Sequence, residues 1–204
     1  MPTQPETGTI RAFVAVELPD DVLAHLGAVQ RDLQKELGRV ESAVRWVKPE
    51  GMHLTLQFLG DVPRAQLPDI EQALREAGAG ARPAQVRTAG LGAFPNPNRA
   101  RVIWIGLEGD LQPLFDVERA IGRALTPLGY RPDKPFKPHL TLGRVREHIR
   151  PEEAAALAQV LLLAPASKRP PNSSVFTADA VSLMQSTLQP GGAEYRELAR
   201  IRIE

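Results

Sequence analysis

Apolar positions along the chain change period several times, and each change marks an element. Residues 11–16, Arg-Ala-Phe-Val-Ala-Val, form a short apolar run with aromatic and β-branched side chains, which predicts a buried strand. Pro19-Asp20-Asp21 then opens a helix, the two acids suited to the positive end of the helix dipole. Val22, Leu26, Val29, Leu33 and Leu37 step by four, three, four and four residues, a single stripe that Gly38 is placed to end. Strands are expected over 43–47 and 52–59, joined by the turn Lys48-Pro49-Glu50-Gly51. A second helix over 63–77, with Leu67, Ile70 and Leu74 on one side, closes at the breaker Gly78-Ala79-Gly80.

The second half follows a similar order. Strands over 85–91 and 101–107 flank a proline-rich loop at 94–98, and a helix over 111–128 shows Leu114, Ile121, Leu125 and Leu128 on one face. A loop over 131–138 leads to a strand over 139–145, then a helix over 151–163 and a loop over 165–174. Strands over 175–185 and 195–203 close the chain. Strands and helices alternate, with apparent hairpins near the end, which predicts an α+β fold with mostly antiparallel sheets.

Within that order one tetrapeptide occurs twice: His53-Leu54-Thr55-Leu56 returns as His139-Leu140-Thr141-Leu142. Each copy closes a unit that begins with an arginine and an apolar strand, Arg11 lying 42 residues before the first histidine and Arg101 lying 38 before the second. The pattern reads as an internal duplication: two half-domains about a pseudo-twofold axis, forming one bilobal domain over 1–204 with a central groove. Side chains alternate along a strand, so His53, Thr55 and Gln57 are expected on one face, with Leu54, Leu56 and Phe58 in the core. His139 and Thr141 likewise share a polar face.

Two such strands would present two imidazoles and two hydroxyls to one substrate. Imidazole titrates near neutrality, so one protonated and one neutral histidine can act as acid and base on opposite sides of a phosphorus centre. Threonine hydroxyls can donate to the non-bridging oxygens where charge builds. Spacing alone leaves open which histidine does which.

Composition narrows the chemistry. With no cysteine among 204 residues, a thiolate nucleophile and any thiolate metal site are excluded. No second ligand lies near either motif, so neither a metal nor another cofactor is expected. Twenty-five basic residues against 24 acidic ones, a net charge of +1, argue against a surface that coats duplex nucleic acid, yet allow a small basic pocket. The polar start of the chain shows no signal peptide, and no apolar stretch is long enough for a bilayer, so a cytoplasmic protein with no membrane partner is expected.

The remaining candidates read more plainly. His25 sits beside the first helix stripe and His148 among charged residues, both away from chemistry. Trp46, Trp104 and Phe13 fit core positions, with a place at a groove rim or pocket wall as the alternative. Lys137, Arg144, Arg146 and Arg150 against Glu147 suit a modest role in guiding an anionic ligand.

The paired motifs resemble those of the two-histidine (2H) phosphoesterases, specifically the bacterial and archaeal RNA 2′,3′-cyclic phosphodiesterases once named 2′-5′ RNA ligases. Residues 11–16 look like that family's opening strand, and Val44-Arg45-Trp46-Val47 like its tryptophan strand. His53-Leu-Thr-Leu-Gln-Phe-Leu-Gly60 looks like its first motif, and residues 99–104 like its central strand. His139-Leu-Thr-Leu-Gly-Arg144 looks like its second motif with the trailing arginine, where Gly143 stands in place of the alanine of many relatives. Leu183-Met-Gln-Ser186 and Tyr195 match its last hairpin.

The resemblance implies metal-independent hydrolysis of an RNA terminal 2′,3′-cyclic phosphate, or of a cyclic nucleotide, to a 2′-phosphate. It implies His53 as proton donor and His139 as proton acceptor, with Thr55, Thr141 and Arg144 holding the phosphate. The alternatives are 2′-5′ ligation by the reverse reaction, or a groove that binds RNA ends without catalysis. Arg144 poses a geometric problem: on an unbroken strand it would share the face of Leu140 and Leu142, away from His139. The strand is therefore expected to end or bulge near Gly143.

Overall fold

A computed structural model gives the structure of the protein and describes residues 8–167, 174–189 and 192–203. The order is β1 (Thr9–Glu17), α1 (Asp20–Leu37), β2 (Val44–Trp46), β3 (His53–Pro63), α2 (Leu67–Gly78), β4 (Ala84–Phe94) and β5 (Val102–Gly109). There follow α3 (Gln112–Leu125), β6 (His139–Val145), α4 (Pro151–Ser167), β7 (Val175–Ala178), β8 (Ala180–Gln189) and β9 (Gly192–Arg202). The fold is α+β, as the sequence predicts. No described helix is long and apolar enough to cross a membrane.

The strands form two antiparallel sheets, ordered β3-β1-β8-β9 and β2-β6-β5-β4-β7. The duplication is visible in their centres. In the first sheet β1 lies between the motif strand β3 and β8; in the second, β5 lies between the motif strand β6 and β4. The two halves of the sequence are nevertheless interleaved. β2, from the first half, forms the edge of the second sheet against β6. Helix α1 follows β1, yet its Gln30 reaches β6 of the second sheet, whereas α2 packs on β8 and β9.

Several boundaries differ from the pattern-based ones. β3 continues to Pro63, because Val62 and Pro63 pair with Ile10 and Thr9, so α2 starts only after a 3-10 turn at Arg64–Gln66. Pro68 then occupies the first turn of α2, where a missing N–H matters least. The expected strand over 175–185 breaks at Asp179 into β7 and β8, which belong to different sheets; the Asp179 carbonyl accepts from Ile203 N–H at 2.8 Å. Helix α4 extends to Ser167, and most of the expected loop beyond it, with Lys168 and Arg169, lies outside the described residues. Elsewhere the stripes hold: Val22, Leu26, Leu33 and Leu37 are buried, and Gly38 ends α1 at a φ of 54° that favours glycine.

Both motif strands carry the same irregularity. On β3, Gln57 faces Val14 and Thr55 faces Ala15, so Leu56 is an extra residue. On β6, Gly143 faces Ile103 and Thr141 faces Trp104, so Leu142 is extra. A bulge of this kind turns the following residues to the opposite face. Gly143 is thus buried and Arg144 exposed. The expected bulge exists, one residue earlier than Gly143. Glycine at 143 serves packing instead: a Cβ there would lie 2.6 Å from Val44 Cγ1 on the neighbouring strand.

On β3 the same shift overturns the expected facing. Gln57 is buried, at 4% exposure, and donates to the Tyr130 carbonyl at 3.1 Å; Phe58 is 59% exposed. The extra residue at Leu56 interrupts the alternation just before them.

A bulge frees backbone groups that need partners. Gln30, buried on α1, supplies one: its Nε2 donates to the carbonyl of the bulged Leu142 at 2.9 Å and to the Val47 carbonyl at 2.7 Å. Replacing Gln30 by leucine strands the Val47 carbonyl and removes the clamp from helix to bulge. Gln30→Leu is expected to destabilise the fold by about 1–3 kcal/mol, read as a lower urea midpoint with unchanged slope; an unaltered midpoint would dismiss the clamp.

Candidate active site

His53 begins β3 and His139 begins β6. In both, the ring Nδ1 donates to the backbone carbonyl two residues earlier: to Gly51 at 2.9 Å and to Lys137 at 2.6 Å. A carbonyl only accepts, so Nδ1 carries the hydrogen and Nε2 is left for exchange with a ligand. The turn before each strand therefore sets the tautomer and holds the ring by one short local bond. The repeat of this detail in both halves goes beyond the shared tetrapeptide.

Aromatic rings fix the imidazoles further. Phe13, buried on β1, stacks on His53 with centroids 4.7 Å apart and planes 29° from parallel. Tyr195 meets His53 edge-on at 4.9 Å. Phe94 meets His139 edge-on at 4.9 Å, and Trp104 lies 6.3 Å from the same ring. Trp104 can lie across β4 because Gly92 is opposite it; a Cβ at Gly92 would sit 2.3 Å from the indole. Phe13, assigned to the core by pattern, is buried and also a wall of the site.

Burial lowers the proton affinity of both histidines. His53 falls from the ordinary 6.5 to about 4, chiefly because the ring loses hydration, with further lowering from the positive charge of Arg144 and from His139. The bond to Gly51 opposes that shift. His139 is also lowered, first by burial and then by Arg144, against the raising effect of its bond to Lys137. Arg144 therefore acts on both rings, and the three predicted residues share one electrostatic neighbourhood.

Thr55 and Thr141 are half-buried on the faces of their respective histidines, and neither hydroxyl bonds a described residue. Of the four cations between 137 and 150, only Arg144 bears on the imidazoles. Arg146 Nε donates to the Ser42 carbonyl at 2.8 Å; Arg150 pairs with Glu153 at 2.8 Å; Lys137 Nζ lies 5.7 Å over the Phe94 ring. His148 is exposed, and His25 approaches Thr88 Oγ1 at 3.4 Å.

The family model described as LigT like Phosphoesterase matches the chain twice, over residues 16–104 and 105–195. The chain belongs to this family. Each match spans one motif, in keeping with the duplication. The chain is 38% identical to the RNA 2′,3′-cyclic phosphodiesterase of Archaeoglobus fulgidus, over 93% of this chain and 98% of that protein. With the enzyme of the same name from Methanothermobacter thermautotrophicus it shares 32% identity over 95% and 99%. Among solved structures, TT0787 of Thermus thermophilus superposes with a TM-score of 0.73 at 27% identity, covering 95% of this chain and 98% of that one.

The sequence missed Phe58, Phe94 and Tyr195 as walls of the LigT-like site. Phe94 ends β4 rather than lying in the proline-rich loop, and Tyr195 comes from the last strand. The available signal for a ring lying across the sheet was a pair of strand glycines, Gly92 opposite Trp104 and Gly106 two residues beyond it.

The low affinity of His53 has a consequence for stability. In the unfolded chain this histidine takes a proton near pH 6.5, whereas the folded protein resists it down to about 4. Stability is therefore expected to fall as pH drops from 6.5 toward 4. His53→Asn removes that difference, so its stability-against-pH curve is expected to be shallower over this interval; an identical curve would contradict the burial argument.

Proposed function

We propose that the protein hydrolyses the 2′,3′-cyclic phosphate at an RNA 3′ end to a 2′-phosphate, using His53 and His139 as acid and base. The observation that carries this reading is the matched pair of imidazoles with free Nε2 atoms, both within the field of Arg144. The shared name of the Archaeoglobus and Methanothermobacter relatives supports the substrate. In the reaction a water oxygen attacks phosphorus while His139 Nε2 takes its proton. The P–O3′ bond breaks, and His53 donates its Nε2 proton to the departing 3′ oxygen. Arg144 and the two threonine hydroxyls hold the non-bridging oxygens as charge gathers on them.

The surroundings favour His53 as the donor. Ribose and base stay attached to the leaving oxygen, so the acid lies on the nucleoside side. Beside His53 the rings of Phe58 and Tyr195 are exposed, at 59% and 36%, and Phe13 lies 6.0 Å from Phe58. Such a surface suits stacking of a base. On the other side, Trp104 and Phe94 pack on each other with centroids 5.0 Å apart.

These side chains supply an acid, a base and a charge clamp without help from a metal. Turnover of a nucleoside 2′,3′-cyclic phosphate is therefore expected to persist in excess EDTA. Single alanine variants at His53 or His139 are expected to lose roughly 10²–10⁴-fold in kcat. A substrate with sulfur in place of the 3′ oxygen has a leaving group that needs no proton. It should rescue His53→Ala and not His139→Ala; rescue of the opposite variant would reverse the roles. A protein that binds the cyclic nucleotide but never turns it over would refute the proposal.

A further inference from the structure

Arg45 lies directly opposite Arg144 across β2 and β6, and side chains of directly opposed residues stand on the same face of an antiparallel pair. Both arginines are exposed, and neither makes an ion pair or side-chain hydrogen bond with a described residue. Like charges so placed repel each other. Elsewhere the same sheet avoids this: Arg87 lies opposite Glu108 across β4 and β5 and bonds it at 2.8 Å. β2 is the edge strand, so no further strand brings an acid to Arg45. β2 lies next to β6 at the edge of the sheet, which sets Arg45 one strand spacing outward from Arg144.

The geometry points to a second phosphate subsite at Arg45, occupied by the internucleotide phosphate next to the cyclic end. This inference rests on the phosphodiesterase reading above and extends it: the preferred substrate is an oligonucleotide, not a mononucleotide. Two phosphates on neighbouring guanidinium groups relieve the repulsion between the arginines, and Arg offers a two-pronged match to each. The trailing strand thus leaves the groove over β2.

Three substrates test it: a mononucleotide 2′,3′-cyclic phosphate, a dinucleotide ending in the same group, and that dinucleotide with a neutral methylphosphonate linkage. The charged dinucleotide is expected to exceed the neutral one in kcat/KM by about tenfold, the worth of one hydrogen bond to a charged group. Arg45→Ala is expected to abolish most of that ratio, and Arg45→Gln, which keeps the side chain's length and polarity, to do the same. The matching 2′-phosphate products give the ratio again as a ratio of dissociation constants, by calorimetry. For the dinucleotide product, the slope of log affinity against log salt should become shallower by about 0.7 in either variant. A charged-to-neutral ratio near one in the wild type, or one unchanged in both variants, overturns the subsite. If the wild type turns over none of the three, the phosphodiesterase reading fails, and the product-binding ratio still decides the subsite.

Discussion

On an unbroken strand, residues five apart stand on opposite faces, so His139 and Arg144 could not meet one phosphate. The extra residue at Leu142 converts that odd separation into a shared face. Much else follows from this one irregularity. Leu142 keeps its side chain in the core, its carbonyl turns to Gln30 of α1 and to Val47 N–H, and Gly143 admits β2 at close range. The strand that carries Arg45 is docked by the same contacts that turn Arg144 outward. Core, bulge and the outward-turned arginine are therefore one arrangement, anchored by a buried glutamine from the opposite half of the sequence.

The first motif shows what the bulge does without an arginine. Leu56 is the extra residue there, and the position corresponding to Arg144 holds Phe58. Two half-sites with equal histidines and threonines thus differ at the one side chain that the bulge turns outward. One offers a cation and the other an exposed ring. In the proposed reaction a substrate with an anionic end and an aromatic base would meet two equal imidazoles flanked by unequal neighbours, and that difference would give it a single direction.

The fold class, the helix stripes and the paired tetrapeptide were legible because each rests on local periodicity. The need for a bulge was legible too, since Arg144 lay at the wrong parity for its expected task. On β3 no such misplacement drew attention, for glutamine on a polar face and phenylalanine in a core look ordinary. The exchange of β2 and α1 between halves left no trace in the pattern, because an apolar stripe states that a helix is covered and not by which sheet. The break at Asp179 was hidden for a similar reason: β7 and β8 are both apolar, and their separate pairing depends on β4 and β1. The aromatic walls come from strands of both sheets, a neighbourhood that only the finished topology assembles.

A groove that holds its histidines neutral is ill suited to an acid–base pair until the ligand's charge is counted. Burial and Arg144 both disfavour a proton on His53 and His139. An anionic phosphate offsets Arg144 and attracts positive charge to whichever ring faces it, so in the proposed reaction binding and protonation are coupled. The same logic applies one strand outward. An arginine with no acid opposite it is tolerable at an exposed edge and becomes favourable when a second phosphate arrives. In the proposed reading the two opposed arginines of β6 and β2 mark the path of the RNA backbone.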